Sequence, residues 1–319
     1  MAGSLDGPRR LEQRLAALKA RDRSQPAADD ALDLQEQLIR ASLSAARPPE
    51  APPFPLPRDH LVARVRQGVP LLHDQPAIID VQFAADLFSR IVNVLQQRDQ
   101  ADLRSPLAAL VEAATGGRLE PEALFREAFV HHPQHLAEIA AAASVDADLL
   151  AAVAAQATAP LLRAYAERLM GLLERIDDGT PDGAAWTRGY CPVCGRWPLL
   201  GELRGVELAQ WLRCGACGSA WRAPRLACAY CGNDDYRSLG SLTIEGELRF
   251  RVAVCERCKG YLKVCNAFDP APAELLALDD AASLHLDVAA IERGYQRPSE
   301  AGFSIELAIA EDEWVEELA

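Results

Sequence analysis

Up to about residue 178, apolar side chains recur every three or four positions, the spacing that gives an α-helix one buried face. Phe83, Leu87, Ile91 and Leu95 form such a stripe, with Phe88 and Val94 beside it. Leu161, Leu162, Tyr165, Leu169, Leu172, Leu173 and Ile176 form a second and clearer one. Ser105-Pro-Leu opens a helix with its proline early, and Pro121–Val130 and the Ala-rich run after Pro133 supply two more. Residues 71–178 therefore predict an all-helical bundle, which the loop-forming run from Asp177 to Gly183 ends. Upstream, Leu11, Leu15 and Leu18 mark one amphipathic helix, and a second spans Ala31–Ser44. Between these and the bundle, Arg47–Pro57 carries six prolines in eleven residues. Such a run cannot be helical and reads as an extended surface spacer.

Past residue 185 the period shortens. Leu199–Leu203 and Glu207–Arg213 predict a hairpin joined by Arg204-Gly205, and Ser241–Val254 another with Glu245-Gly246 at its tip. After Phe268 the pattern turns helical again over roughly Pro272–Leu278 and Ala281–Gly294, and the chain ends in the acidic stretch Glu311–Ala319 with its single tryptophan.

With 319 residues, half of them apolar, the chain can form a sizeable core and more than one domain. No uninterrupted apolar run of about 18 residues occurs; the Ala-rich stretch after Ala137 comes nearest, and Asp146 and Asp148 break it. The start of the chain lacks the basic-then-apolar order of a signal peptide, so the expected compartment is the cytoplasm, where thiols stay reduced. The net charge of −13 is uneven: residues 188–268 hold 12 Lys/Arg against 7 Asp/Glu. Arginine excess in that segment is what anionic thiolate clusters would attract. The acidic remainder would repel phosphate at long range, which argues against a nucleic-acid partner.

That basic segment holds the chemistry. Of nine cysteines, eight form four CxxC pairs: Cys191/Cys194, Cys214/Cys217, Cys228/Cys231 and Cys255/Cys258. In a CxxC turn the chain folds back so that two thiolates reach one ion, and a following glycine supplies the positive φ the turn needs. Gly195, Gly218 and Gly232 occupy that place; Lys259 stands there in the fourth pair, which predicts a knuckle of different shape. Eight ligands fill two tetrahedral four-cysteine sites. Local pairing in a long chain without a secretion signal favours metal over disulfides or a redox CxxC.

Sequential grouping puts Cys191, Cys194, Cys214 and Cys217 on one ion and Cys228, Cys231, Cys255 and Cys258 on the other; crossed grouping stays open. Gaps of 19 and 23 residues within the two groups each fit one hairpin, as in zinc ribbons and rubredoxin-like folds, and the ten residues between Cys217 and Cys228 suit a linker. The fold class is α+β and multidomain: an N-terminal all-α domain, two tandem rubredoxin-like or zinc-ribbon modules, and a short C-terminal helical segment. The expected boundaries are 1–57 for the charged helices and linker, 58–184 for the helical domain, 185–225 and 226–270 for the two modules, and 271–319 for the tail.

Sites saturated by protein sulfur serve structure or electron transfer, because hydrolytic zinc needs an open position. A tetrahedron of four sulfurs suits zinc and iron alike. Cys265, the ninth cysteine, reads as a small buried residue rather than a reactive thiol. His131, His132 and His135 read as a surface cluster at a helix start beside Pro133, with no acidic or cysteine partner evident nearby. Trp186, Trp197, Trp211 and Trp221 read as packing around the first metal module rather than a base-stacking platform. The chain contains no Gly-rich phosphate loop, no G-x-S-x-G elbow and no HExxH, and no catalytic residue is assigned.

The ordered motifs Cys191-Pro-Val-Cys194-Gly-Arg-Trp-Pro198, Cys214-Gly-Ala-Cys217-Gly, Cys228-Ala-Tyr-Cys231-Gly and Val254-Cys-Glu-Arg-Cys-Lys-Gly-Tyr-Leu-Lys263 resemble those of the FdhE family, the formate dehydrogenase accessory (formation) proteins of bacteria. The first 180 residues match that family in character rather than by a motif. The resemblance implies a cytoplasmic assembly factor, not an enzyme. It implies binding of the catalytic subunit of respiratory formate dehydrogenase before twin-arginine export. It also implies rubredoxin-like sites holding iron, with the eight paired cysteines as ligands. Dimerisation is left open. Two other readings stand beside it: a rubredoxin-like electron carrier, and a zinc-ribbon nucleic-acid binder using Arg222, Arg225, Arg249 and Arg251.

Overall fold

The computed structural model describes residues 7–19, 26–45, 48, 50, 51, 56–98, 100–177, 179, 183–267 and 270–308. Most of the proline-rich run, much of the Asp177–Gly183 loop and the acidic C-terminal stretch lie outside the described residues. The chain forms two compact units. One comprises Met1–Glu36, Leu56–Leu71 and Leu169–Phe303; the other comprises Gln37–Pro55, Leu72–Arg168 and Ser304–Ala319.

Along the chain, helices α1 (Gly7–Lys19), α2 (Pro26–Leu43) and α3 (Arg58–Gln67) come first, the first two at the expected amphipathic segments. The second unit is built on helices α4 (Val81–Gln97), α5 (Ala101–Thr115), α6 (Pro121–Val130), α7 (Pro133–Ala143) and the first part of α8 (Ala147–Ile176). Asp80 caps α4 by accepting from the Phe83 N–H at 2.8 Å. The apolar stripe of α4 is buried as its spacing predicts, at Phe83, Leu87, Phe88, Ile91 and Leu95. Val92 rather than Val94 completes the face, because it lies one turn from Phe88 and Leu95. Phe88 meets Phe125 edge-on at 6.0 Å, and Phe129 meets Tyr165 at 5.7 Å. The Tyr165 hydroxyl donates to the Ile78 carbonyl at 3.0 Å and accepts from the Ile78 N–H at 2.7 Å, so its burial leaves no polar atom unpaired.

Two prolines fall inside helices. α5 starts at Ala101, four residues ahead of the expected Ser105, so Pro106 lies within it. α8 continues through Pro160 for 30 residues. Proline there removes one backbone bond, and a deeply buried face formed by Val153, Ala154, Ala157, Leu161 and Leu162 outweighs that loss. α8 is long and apolar enough to cross a bilayer by length and composition alone, yet 61% of its most apolar stretch is buried inside the protein, which accounts for it as a core helix.

The first unit centres on one six-stranded sheet. Its strands are β1 (Leu200–Arg204), β2 (Ala209–Arg213), β3 (Ala220–Arg222), β4 (Leu239–Leu242), β5 (Phe250–Cys255) and β6 (Tyr261–Ala267), in the order β3-β2-β1-β6-β5-β4. The two expected hairpins are present as β1/β2 and β4/β5. A helical N-terminal region, a sheet region with two four-cysteine clusters and helices near the C-terminus match the expected fold class. The ladder that joins the hairpins is a further finding. β6 pairs antiparallel with β5 and parallel with β1, Gly201 facing Val264 and Glu202 facing Cys265, so both cysteine modules share a single sheet.

Helices α9 (Leu276–Ala282) and α10 (Leu284–Ile291) follow β6, and Leu286 and Ala290 of α10 pack on Phe250, Val252, Val254, Tyr261 and Cys265. Buried charges hold these layers together. The Lys263 ammonium, fully buried in mid-strand, reaches Asp287 at 2.5 Å, Asp280 at 2.7 Å and the Asp280 carbonyl at 2.8 Å. Arg297 closes the same network on Asp287 at 2.8 Å. Glu202 takes Arg213 and Arg204, each at 2.6 Å, and Asp279 takes Arg249 at 2.7 Å together with Arg14. Each charge is acceptable in the interior because an opposite charge and further hydrogen bonds meet it there.

Lys263→Met keeps the volume and removes the charge, leaving Asp280 and Asp287 facing the sheet with Arg297 as their one cation among the described residues and the Tyr261 hydroxyl on Asp287. The expected outcome is a loss of about 3 kcal/mol, read as a lower denaturant midpoint; an unchanged midpoint would show that the ammonium is dispensable.

Candidate metal centres

The four CxxC turns repeat one backbone plan. In the first three, the N–H of the residue after the second cysteine bonds to the carbonyl of the first: Gly195 to Cys191, Gly218 to Cys214 and Gly232 to Cys228, each at 3.0 Å. In all four, the N–H of the first cysteine bonds to the carbonyl five residues on: Cys191 to Arg196, Cys214 to Ser219, Cys228 to Asn233 and Cys255 to Gly260, at 2.8–3.0 Å. The three glycines have φ of +72°, +77° and +68°, and Lys259 takes the same left-handed conformation at +56°. The expected difference in shape at the fourth knuckle is therefore absent. Lys259 accepts a conformation that costs a non-glycine residue about 1 kcal/mol, while its ammonium pairs with Glu256 and lies 5.5 Å from the Tyr295 ring.

These turns gather the sulfurs of Cys191, Cys194, Cys214 and Cys217 into one cluster and those of Cys228, Cys231, Cys255 and Cys258 into another. That is the sequential grouping. Measured S···S distances are 3.5 Å for Cys191–Cys217 and Cys194–Cys214, 3.7 Å for Cys194–Cys217, 3.6 Å for Cys228–Cys258 and 3.8 Å for Cys231–Cys255. Four sulfurs at about 2.3 Å from a central ion stand about 3.8 Å apart in a tetrahedron, so the residues present fit a tetrahedral cation. The cysteines are free of disulfides.

Electrostatics favour the same occupant. Burial pushes the Cys191 thiol well above its usual range, and the neighbouring thiols of Cys194, Cys214 and Cys217 push it further. Cys214 is driven the opposite way, chiefly by hydrogen bonds from Cys191, Cys194 and Cys217. At Cys255 burial raises the pKa, but the N–H groups of Cys258 and Arg257 outweigh it and bring the thiol down to about 7. A divalent cation inverts the balance and lets every sulfur ionise.

The clusters differ in exposure. The first is wholly buried, whereas in the second Cys231 is exposed and Cys228 and Cys258 are half-buried. Polar neighbours reach one sulfur in each: Ser219 Oγ lies 3.1 Å from Cys217 Sγ, and Asn233 Nδ2 lies 3.7 Å from Cys255 Sγ. Aromatic rings form a chain from Trp186 to Tyr230, Tyr190 meeting Trp186 at 5.6 Å and Trp197 at 5.9 Å, and Trp197 meeting Tyr230 at 5.3 Å. Trp186 and Trp221 donate their indole N–H groups to the carbonyls of Tyr190 and Arg188. Trp211 instead carries Arg204 over its ring at 4.5 Å.

Gly189 is a positioning residue that sequence reasoning passed over. A Cβ there would lie 1.6 Å from the Ala229 carbonyl oxygen, so only glycine lets the entry to the first knuckle touch the third. Cys265 lies in the apolar core, 1% exposed, and burial pushes its thiol up to about 12, in keeping with a small packed residue. Of the arginines considered for nucleic acid, Arg249 is held by Asp279.

Comparison with known proteins follows the same outline. Residues 226–303 match the family model described as the C-terminal domain of FdhE. The FdhE homolog of Pseudomonas aeruginosa is 34% identical over 199 residues, covering 60% of this chain and 61% of that protein. The homolog of Aquifex aeolicus is 31% identical over 140 residues, covering 43% and 45%. The crystal structure of the FdhE protein from P. aeruginosa matches at a TM-score of 0.50 and 25% identity, covering 93% of this chain and 94% of that one. The aligned segments thus span less than two thirds of the curated relatives, while the structural match runs through nearly the whole chain. The resemblance to the FdhE family that the cysteine motifs carry is shown.

In Cys194→Ser the first sulfur cluster is expected to lose its ion, read by elemental analysis as one metal equivalent fewer than in the unaltered chain, with the second cluster's ion kept. In the unaltered chain a chelator should strip metal in two phases, the faster from the cluster holding exposed Cys231; one uniform phase would show that exposure does not govern release. Gly189→Ala should drive the first and third knuckles apart and lower metal retention at both clusters.

Proposed function

We propose that this chain is an accessory protein for the formation of formate dehydrogenase, acting in the cytoplasm on the catalytic subunit before its export. The observation that carries this reading is the pair of closed four-sulfur clusters in the order that the FdhE family resemblance implies, the second of them lying within the matched C-terminal domain model. Such clusters offer no open coordination position, and the sequence supplies no catalytic constellation beside them. The chain acts by binding rather than by turnover. Cys191, Cys194, Cys214 and Cys217 hold one ion, and Cys228, Cys231, Cys255 and Cys258 hold the other. Iron is the metal assigned to both, in accord with the family resemblance, and zinc satisfies the same sulfur tetrahedra.

What the chain's own residues do is definite in chemical terms. The knuckle N–H groups and the buried shell fix the sulfurs in place, so an ion can enter or change charge with little rearrangement. The same property favours a second reading, a rubredoxin-like redox role, and the specific observation behind it is the exposed position of Cys231. Iron held by four thiolates would cycle between ferrous and ferric states without a change of ligands, and exposure of Cys231 would bring one such site within reach of a partner.

Deleting the gene is expected to abolish formate dehydrogenase activity while the enzyme's subunits are still synthesised, and tagged chain isolated without oxygen should retain the catalytic subunit. Normal enzyme activity in the deletion strain, with no subunit retained, would end the accessory reading. Zinc in place of iron in protein from iron-replete anaerobic cells would remove the redox alternative.

A further inference from the structure

Outside the sulfur clusters, one more set of metal-ligating side chains converges. α6 ends at His131, whose φ of +64° reverses the chain, and Pro133 opens α7 immediately afterwards. This tight link brings Glu127, from the last turn of α6, against His132 and His135 at the start of α7. His132 Nδ1 lies 2.8 Å from Glu127 Oε2, and His135 Nδ1 lies 2.9 Å from the same oxygen. The two imidazole rings are 5.3 Å apart and nearly perpendicular. Sequence reading left these histidines without an acidic partner. Glu127 supplies it, four and five residues upstream of His131 and His132, through a turn that the pattern alone does not reveal.

His132 is bridged on both ring nitrogens: its Nδ1 faces the Glu127 carboxylate and its Nε2 lies 3.1 Å from the Ile305 carbonyl oxygen. Both oxygens accept, so the ring meets them with two N–H groups as an imidazolium, or with a cation in place of the Nδ1 proton. The convergence of His135 Nδ1 on the same carboxylate oxygen points to the cation. Nδ1 then gives its lone pair to the ion, and Nε2–H donates to the Ile305 carbonyl, the outer-sphere bond that orients metal-bound histidines. We propose that Glu127, His132 and His135 form a third metal site, for a borderline divalent first-row cation such as Zn2+, bound through one carboxylate oxygen and two Nδ1 atoms.

The geometry needs little adjustment. Ligand atoms at about 2.0–2.1 Å from a tetrahedral ion stand about 3.3 Å apart, so the present contacts would open by about 0.4 Å. His135, with 57% of its side chain exposed, has room to make that movement. The end of α6 turns its negative pole to the site and the start of α7 its positive pole, so the two dipoles oppose and the ligands decide. A donor set of two imidazoles and a carboxylate leaves a coordination position open to water, unlike the sulfur clusters.

The test is a Co2+ titration of the metal-free full-length chain under reducing conditions, followed by the same titration with Zn2+. Two equivalents should bring thiolate-to-cobalt charge transfer. A third should add only weak ligand-field absorption, because its donors are nitrogen and oxygen. In His135→Ala and in Glu127→Gln the third equivalent should bind more weakly by over 100-fold, beyond the roughly 100-fold that loss of an outer-sphere partner costs, with the charge-transfer bands unchanged. Saturation of the wild-type chain at two equivalents, or a third equivalent that His135→Ala leaves intact, would overturn the proposal. Because His135 is exposed, its replacement is expected to fold, which circular dichroism checks. The charge-transfer bands report the sulfur clusters separately, so the outcome is independent of the function proposed above.

Discussion

Four thiol groups buried within bonding distance of a common point cannot all ionise unless a cation joins them. That constraint governs the cysteine-bearing unit. Without the ion, desolvation pushes the Cys191 thiol well above its usual range, while hydrogen bonds from its neighbours draw Cys214 the other way. With it, four S–metal bonds replace thiols that burial otherwise penalises, and binding free energy becomes folding free energy. The strands around the first cluster are short, three to five residues each, and could not by themselves fix the positions of four sulfurs. The knuckle hydrogen bonds do so locally, and the ion closes the arrangement.

The β1–β6 ladder extends that local order. Two ribbon-like hairpins could have been independent modules on a linker. Parallel pairing of β6 with β1 makes them halves of one sheet, and the contact of Gly189 with the third knuckle ties them a second time. Loss of one ion is then felt at the other through the strands they share. The ion-pair networks of Lys263, Glu202 and Asp279 lie along this seam, on β6, β1 and the helix that covers them. Buried pairs of this kind add little net stability, but an unmatched partner in any other register is costly, so they select the observed pairing.

Much of the metal chemistry was legible because it is local. CxxC spacing, the glycine that follows and the length of each gap specify a knuckle and its return hairpin within some 25 residues. The stripes of α4 and α8 were legible for the same reason. What escaped depends on distant partners. Lys263 in mid-strand is buried only because Asp280 and Asp287 cover it, and β6 with its parallel pairing to β1 was not foreseen. Gly189 shows its purpose only against Ala229. The course of α8 through Pro160 depends on burial of both flanking turns. Lys259 reads as an exception to the knuckle pattern, yet the backbone bond from Cys255 to Gly260 holds it in the glycine conformation.

The two sulfur clusters are alike in backbone and unlike in surroundings, and the difference decides what each is fit for. The first has every sulfur buried and a serine hydroxyl against Cys217. Low dielectric around a charged cluster favours its state of lower net charge, and no sulfur is open to a chelator or an oxidant. Such surroundings suit a structural ion. The second exposes Cys231, and backbone N–H groups bring Cys255 down to about 7, so its sulfurs meet solvent and its charge is screened. A site of that kind exchanges ligands and electrons more readily. Because β5 and β6 run from the second cluster into the strand that leads back to the first, a change at the exposed site has a rigid path to the buried one, whereas the reverse change would have to begin in a closed core.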